Sequence, residues 1–189
     1  MKRSMCVLLA SLLYIALGSG TALAECCITP DNGTGTVTLP AQCPYDNPWE
    51  PMMIIDGLPP GTTIELHGPL SQFVNLANFP GGTMGGEVAH FEAVFEWELV
   101  GTGDLTGFFR TIFLPVVGEM HFGPRNPGDP VQSFDADLFR LEGEMVGDPD
   151  FDMLRIVAGT DFGLPGPGHT NLYQLPSGDF AVDSFFDIT

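Results

Sequence analysis

Carboxylates spaced two residues apart are the first candidates for chemistry in this chain of 189 residues. Three such pairs lie within segments that are predicted below to be β-strands: Glu96 with Glu98, Asp135 with Asp137, and Glu142 with Glu144. On a β-strand, residues i and i+2 share one face and lie about 7 Å apart. That separation suits an inverting glycosidase, so one hypothesis is a secreted hydrolase that cleaves polysaccharide through an acidic pair. The alternative is a solvated strand face, which gives the same spacing in any acid-rich chain.

A second acidic group has the spacing of an oxygen-ligand cation site. Asp148, Asp150 and Asp152 occupy positions 1, 3 and 5 of a D-x-D-x-D loop. An EF-hand is excluded, because positions 6 and 12 lack the glycine and glutamate that it needs. Asp135 and Asp137 come close to this loop if residues 134–158 form a hairpin. The five carboxylates therefore predict a looser calcium site, and the competing interpretation is that they only keep the protein soluble.

Serine and histidine give weaker signals for nucleophilic or metal chemistry. None of the serines after residue 24 lies in a G-x-S-x-G motif, and the four histidines are far apart in the sequence. A Ser-His-Asp arrangement can still assemble in space, but the sequence assigns no catalytic residue. His90 and His121 fall in or near neighbouring predicted strands, yet they lack the H-x-H or H-E-x-x-H spacing of a transition-metal site.

The first 24 residues have the layout of a secretory signal peptide. Lys2 and Arg3 precede an apolar run, and Ala22-Leu23-Ala24 supplies a small-residue cleavage signal. Removal of this segment predicts a secreted, cell-surface or periplasmic protein. Export permits a disulfide, and we expect Cys43 to pair with Cys26 or Cys27.

The predicted mature chain is strongly acidic. It keeps all 24 acidic residues against four arginines, a net charge of −20. Nucleic acid is excluded as a partner, because binding to phosphates requires clustered Lys and Arg. No further apolar run reaches the roughly 18 residues of a transmembrane helix.

Short strands separated by turns are predicted along the whole mature chain. The clearest covers residues 91–100, where Phe91, Phe95 and Trp97 alternate with glutamates at a period of two. That alternation predicts a buried aromatic face and an exposed glutamate face. The other predicted strands are 36–39, 62–66, 72–79, 105–117, 134–146, 151–158, 171–175 and 180–188.

These strands predict an all-β fold, either an antiparallel β-sandwich or a jelly roll, with a closed antiparallel β-barrel as the alternative. Residues 25–50 form a Cys- and Pro-rich lead-in, and residues 51–189 form a single β-domain. The last predicted strand runs to the end of the sequence without a turn or polar tail. We therefore expect that a partner covers this strand or that the domain is truncated at its C-terminus.

Three motifs resemble those of a group of uncharacterised secreted proteins from environmental bacteria. They are GDPDFD at 147–152, GTDFGLPGPGHT at 159–170 and VDSFFDI at 182–188. The resemblance implies export and an all-β fold. Because no activity is known for that group, it implies no functional residue.

The sequence thus favours a non-catalytic exported β-domain that attaches to a surface, a matrix or a carbohydrate. Trp49 and Tyr173 are candidate aromatic platforms for a sugar ring. The alternatives are the acid-pair hydrolase and a structural module of a surface assembly. The expected partner is a polysaccharide or a surface protein, and calcium is the one candidate cofactor.

Overall fold

The computed structural model of the protein describes residues 27–43, 52–53 and 59–187. The predicted signal peptide, Cys26 and Trp49 lie outside these residues. Strand accounts for 59% of the structure and helix for 4%. The antiparallel all-β prediction is therefore confirmed.

Nine strands and two short 3-10 helices make up the described chain. The 3-10 helices are Gly103–Leu105 and Thr160–Phe162. The strands are β1 (Cys27–Thr29), β2 (Met52–Met53), β3 (Ile64–Gly81), β4 (Gly86–Gly101), β5 (Phe109–Phe122), β6 (Val131–Val146), β7 (Met153–Ala158), β8 (Pro167–Gln174) and β9 (Phe180–Phe186). Across the described ranges, no helix is long and apolar enough to cross a membrane.

All nine strands belong to one sheet that curls into a half-barrel. The order is β1-β9-β8-β6-β5-β4-β3-β2, and β7 also pairs with β6. The long strand β6 therefore has two partners on one side. Residues 131–137 pair with β8, and residues 141–146 pair with β7.

Strand β4 has the two faces that its alternating sequence predicts. Phe91 and Phe95 are buried in the core, whereas Glu92 and Glu98 are exposed. Trp97 is half-buried and packs against both hydrophobic clusters of the molecule. We call the buried side of the sheet the inner face and the opposite side the outer face.

Replacement of Phe95 by alanine should lower the free energy of unfolding by about 3–5 kcal/mol, because it empties a core site. The adjacent Glu96→Gln change should shift it by less than about 0.5 kcal/mol, since that side chain lies on the outer face. Urea denaturation of both variants measures the difference. Equal losses would mean that the two faces are not distinguished by burial.

Several strand boundaries differ from the predicted ones. The predicted strand 72–79 and residues 64–66 of the predicted strand 62–66 belong to the one strand β3, whose pairing with β4 shifts register between His67 and Leu70. Glycine at 68, with φ of +54°, lies inside that irregularity. Residues Gly103–Leu105 form a 3-10 turn, so β5 begins at Phe109 instead of at residue 105.

The predicted strand 36–39 is wrong. Residues 36–43 form irregular chain in which Val37, Leu39 and Ala41 are buried in the main core cluster. The alternation of apolar and polar residues here reflects burial without sheet pairing. We call residues 31–43 the plug, because they fill the inner face of the half-barrel.

Side chains of the sheet and the neighbouring loop satisfy the backbone of the plug. Arg125 Nη2 donates to the Val37 carbonyl at 3.0 Å, and Gln132 Nε2 donates to the Gly35 carbonyl at 2.8 Å. The amide of Asn75 donates to the Leu39 carbonyl. A Cβ at Gly35 would lie 2.5 Å from the nitrogen of Gly128, so this close approach requires glycine.

Both ends of the plug are fixed. Cys43 forms a disulfide with Cys27, which decides between the two partners that the sequence allows. At the other end, one oxygen of Asp31 accepts hydrogen bonds from the backbone N–H groups of residues 33–36. Desolvation raises the pKa of Asp31, but these four bonds outweigh it and hold the pKa below the ordinary value of 3.8.

Strand β9 is only partly an edge. Its first three residues, 180–182, lie between β8 and β1. Residues 183–186 pair with β8, and Phe185 is 58% exposed. The predicted strand 180–188 is thus confirmed as far as residue 186.

Candidate functional site

A polar row crosses the outer face where β6 pairs with β8. Asp135 lies opposite His169, and Ser133 lies opposite Asn171. In the same ladder, Gln174 N donates to Pro130 O and Leu138 N donates to Gly166 O. Because hydrogen-bonded and non-hydrogen-bonded pairs alternate in an antiparallel ladder, the pairs at 133 and 135 are of the non-hydrogen-bonded type. Side chains of such pairs come closest together.

Ser133, His169 and Asp135 form a chain of hydrogen bonds. Ser133 Oγ lies 2.9 Å from His169 Nε2, and His169 Nδ1 lies 2.9 Å from Asp135 Oδ1. An ionised carboxylate can only accept, so Nδ1 of a neutral His169 carries the proton. Nε2 is then the acceptor for the hydroxyl of Ser133. We call this set the Ser133–His169–Asp135 relay.

The relay is open to solvent. The Asp135 side chain is 74% exposed and that of His169 is 31% exposed. Apolar and aromatic groups border it, since Val131 pairs with Tyr173 at one end and Phe185 lies opposite His169 on β9. Val131 and Phe185 are themselves exposed.

No spacing rule finds this relay in the sequence. Ser133 and His169 are 36 positions apart, and β7 and a 3-10 helix lie between their strands. The juxtaposition depends on β8 returning to the first half of β6 after β7 has paired with the second half. The one available signal is that Ser133 and Asp135 share a strand face.

The three predicted acid pairs remain on the outer face. Glu142 accepts hydrogen bonds from Arg140 at 2.9 Å and Arg155 at 2.7 Å. These two hydrogen bonds, of which the one from Arg140 has the larger effect, outweigh desolvation and lower the pKa of Glu142. A glycosidase acid needs a raised pKa, so the pair of Glu142 and Glu144 does not fit that role. Asp135 and Asp137 are also occupied separately, Asp137 by the hydroxyl of Thr160 at 2.7 Å.

Four of the five aspartates of the predicted calcium site bond to side chains outside the set, and Asp152 is the fifth. Arg110 donates to both Asp148 and Asp150, which ties the β6–β7 turn to β5. Asp135 and Asp137 bond to His169 and Thr160 instead. Among the described residues, no group of three or more His, Cys, Asp or Glu side chains is placed to hold a metal ion. Calcium binding stays a prediction from the sequence, without support from this geometry.

His90 and His121 are linked through one carboxylate. Glu119 Oε1 lies 2.7 Å from His121 Nε2, and Glu119 Oε2 lies 3.3 Å from His90 Nε2. The backbone N–H of Thr83 donates to His121 Nδ1 at 3.2 Å, so the proton of a neutral His121 is on Nε2. His121 is buried and stacks on Phe139 at 4.2 Å between ring centroids. His121 therefore joins the turn between β3 and β4 to strand β5.

A second surface on the outer face is apolar as well as acidic. One row of side chains crosses five neighbouring strands and alternates in character: Val74, Glu92, Val117, Glu142 and Val157. The three valines are 49%, 54% and 38% exposed. Val94 and Pro115 extend this row into a shallow groove. We call this surface the valine–glutamate face.

Within the described ranges, the Ser133–His169–Asp135 relay and the valine–glutamate face lie on different parts of the outer face. Comparison of the chain with protein-family models, with curated proteins and with solved structures gives no match.

Proposed function

We propose that this chain is an exported β-domain that attaches to a surface or matrix partner through the valine–glutamate face. The observation that carries the proposal is the row across five strands in which three exposed valines alternate with two glutamates. An exposed apolar patch rimmed by polar groups is typical of an interaction site. Export is supported by the layout of residues 1–24 and by the Cys27–Cys43 disulfide, which suits an oxidising compartment.

The chemistry of this face favours a protein partner over a neutral glycan. Val74, Val94 and Val117 offer branched aliphatic contacts, and the exposed Glu92 lies between Val74 and Val117. The chain has 24 acidic residues against six basic ones, which favours association with positively charged partners. A partner with apolar and basic side chains complements both properties.

The test is binding of the mature chain to cell-envelope proteins and to a panel of immobilised polysaccharides. Val117→Ser should weaken binding to any envelope protein that the unmodified chain binds, by at least tenfold, because central apolar contacts carry most of an interface's free energy. Binding should also weaken as salt is raised. Ile28→Glu is the control, since Ile28 is 61% exposed on β1 at the opposite end of the sheet.

Two outcomes would contradict this assignment. Binding that is unchanged by Val117→Ser would place attachment elsewhere on the molecule. Binding to a neutral polysaccharide that is insensitive to salt would favour a carbohydrate partner. Release of reducing sugar from the same panel would instead support the acid-pair hydrolase.

A further inference from the structure

We propose that the Ser133–His169–Asp135 relay is a hydrolytic site for uncharged esters that carry a small acyl group. Ser133 is the nucleophile, His169 is the general base, and Asp135 positions the imidazole. This activity goes beyond attachment and lies on strands β6 and β8, away from Val117 on β5.

The relay has the two hydrogen bonds that serine activation requires. A nucleophile and its base must be about 2.6–3.2 Å apart, with the base oriented by a third group. Both distances here are 2.9 Å. Because the carboxylate of Asp135 holds the proton on Nδ1, the lone pair of Nε2 faces the Ser133 hydroxyl, which is the tautomer that can accept its proton.

Asn171 is the candidate donor for the oxyanion. It lies directly opposite Ser133 on the same face, in a pair of the non-hydrogen-bonded type. The Cβ atoms of such pairs are about 4.5–5.5 Å apart. The amide of Asn171 is therefore within reach of the carbonyl oxygen of an acyl group bonded to Ser133 Oγ. Amide side chains serve this purpose in acyl-transfer enzymes.

The surroundings define the substrate class. The relay lies on an open sheet surface, with Ser133 and Asp135 exposed, so an ester on a large polymer can approach it. Val131 and Phe185 offer apolar contact on either side, enough for a small acyl group such as acetyl. Asp183 lies opposite Asn171, and its charge together with that of Asp135 disfavours anionic substrates.

The reaction balances with water as the only co-reactant. Ser133 Oγ forms a bond to the ester carbonyl carbon while its proton passes to His169 Nε2. The carbon–oxygen bond to the alcohol breaks as His169 returns that proton to the leaving oxygen. Water then attacks the acyl-serine and gives a proton to His169. The resulting tetrahedral intermediate collapses as the bond between the acyl carbon and Ser133 Oγ breaks, which releases the carboxylic acid, and His169 returns the proton to Ser133 Oγ.

Hydrolysis of p-nitrophenyl acetate by the mature chain tests the proposal, together with labelling by a fluorophosphonate. Ser133→Ala and His169→Gln should each lower kcat/KM at least a hundredfold, since a general base contributes about 10²–10⁴. Asp135→Asn should lower it at least tenfold, with KM nearly unchanged, because the orientation and tautomer of His169 are lost. Intact mass should show one label per chain, and peptide mapping should place it on Ser133.

Ser177→Ala is the matched control, because Ser177 is an exposed hydroxyl in a turn bonded to Asp179 and not to a histidine. It should keep both the rate and the label. Thermal denaturation of each variant checks folding, which substitutions at this exposed site should not disturb.

Three results would overturn the proposal. One is a rate that survives Ser133→Ala but not His169→Gln, which indicates simple imidazole catalysis. The others are labelling of Ser177 to the same extent as Ser133, and no rate above the buffer in a folded protein. The same variants distinguish this proposal from attachment. Val117→Ser should leave the rate of hydrolysis unchanged, and Ser133→Ala should leave binding to the partner unchanged.

Discussion

Replacement of Leu39 by alanine is expected to lower the free energy of unfolding by about 2–5 kcal/mol. Leu39 is 1% exposed and belongs to the main core cluster, although it lies in irregular chain. The half-barrel is a single sheet, so its inner face needs a covering layer. The plug is a large part of that layer, and a cavity at Leu39 opens the centre of the core.

Thr38→Ala is the control for this prediction. Thr38 is the exposed neighbour of Leu39, and its truncation should change stability by less than about 0.5 kcal/mol. Urea denaturation under oxidising conditions measures both variants. A cost for Leu39→Ala no larger than that for Thr38→Ala would show that the plug is not part of the folded core.

The Cys27–Cys43 bond gives an independent test of the same segment. The two cysteines are 16 residues apart and enclose most of the plug. Closing a loop of this size stabilises by about 3 kcal/mol in the chain-entropy model. Cys27→Ser combined with Cys43→Ser should therefore destabilise to a similar degree, and Leu39→Ala should add to that loss.

Local periodicity was enough to predict the strands of the sheet but not the plug that covers its inner face. In β4 a period of two separates Phe95 from Glu96, because one side of the strand is buried and the other is wet. The plug has the same alternation at Val37 and Leu39, yet its carbonyls bond to side chains of Arg125 and Asn75. Those donors lie far away in the sequence, so no local pattern distinguishes this segment from a strand.

The Ser133–His169–Asp135 relay could not be predicted from local sequence for a related reason. Its residues belong to β6 and β8, and their register depends on how β6 divides between two partners. Ser133 has no motif around it, because an ordinary strand and not a special turn presents it. The disulfide was easier to predict, since the predicted removal of residues 1–24 leaves three of the four cysteines and two possible partners for Cys43.

Removal of the carboxylate of Glu87 is expected to be the other large perturbation. The side chain of Arg125 is 4% exposed. Its Nη2 donates to both carboxylate oxygens of Glu87, at 2.9 and 3.1 Å, and its Nε donates to one of them at 3.2 Å. The same guanidinium donates to the Val37 carbonyl and lies over the Phe134 ring. Glu87→Ala leaves this charge buried without its carboxylate, which should cost about 3 kcal/mol.

A double-mutant cycle separates the ion pair from simple packing. Arg125→Met removes the charge, and the combination of Arg125→Met with Glu87→Ala should cost clearly less than the sum of the two single substitutions, because no buried charge is left alone. The matched surface pair is Arg155 with Glu142, where Arg155 is 48% exposed. Arg155→Ala should cost less than about 1 kcal/mol, and raised salt should reduce that cost.

Most of the cost of Glu87→Ala should persist in high salt, since screening acts weakly on the buried guanidinium of Arg125, although the Glu87 side chain is 31% exposed. This behaviour follows from the place of Arg125 in the fold. It joins β4, the loop after β5 and the plug through one guanidinium, so its loss loosens three segments together. Additive losses in the cycle, or a cost for Glu87→Ala that disappears in salt, would mean that the pair is solvated and that the plug is held by apolar contacts alone.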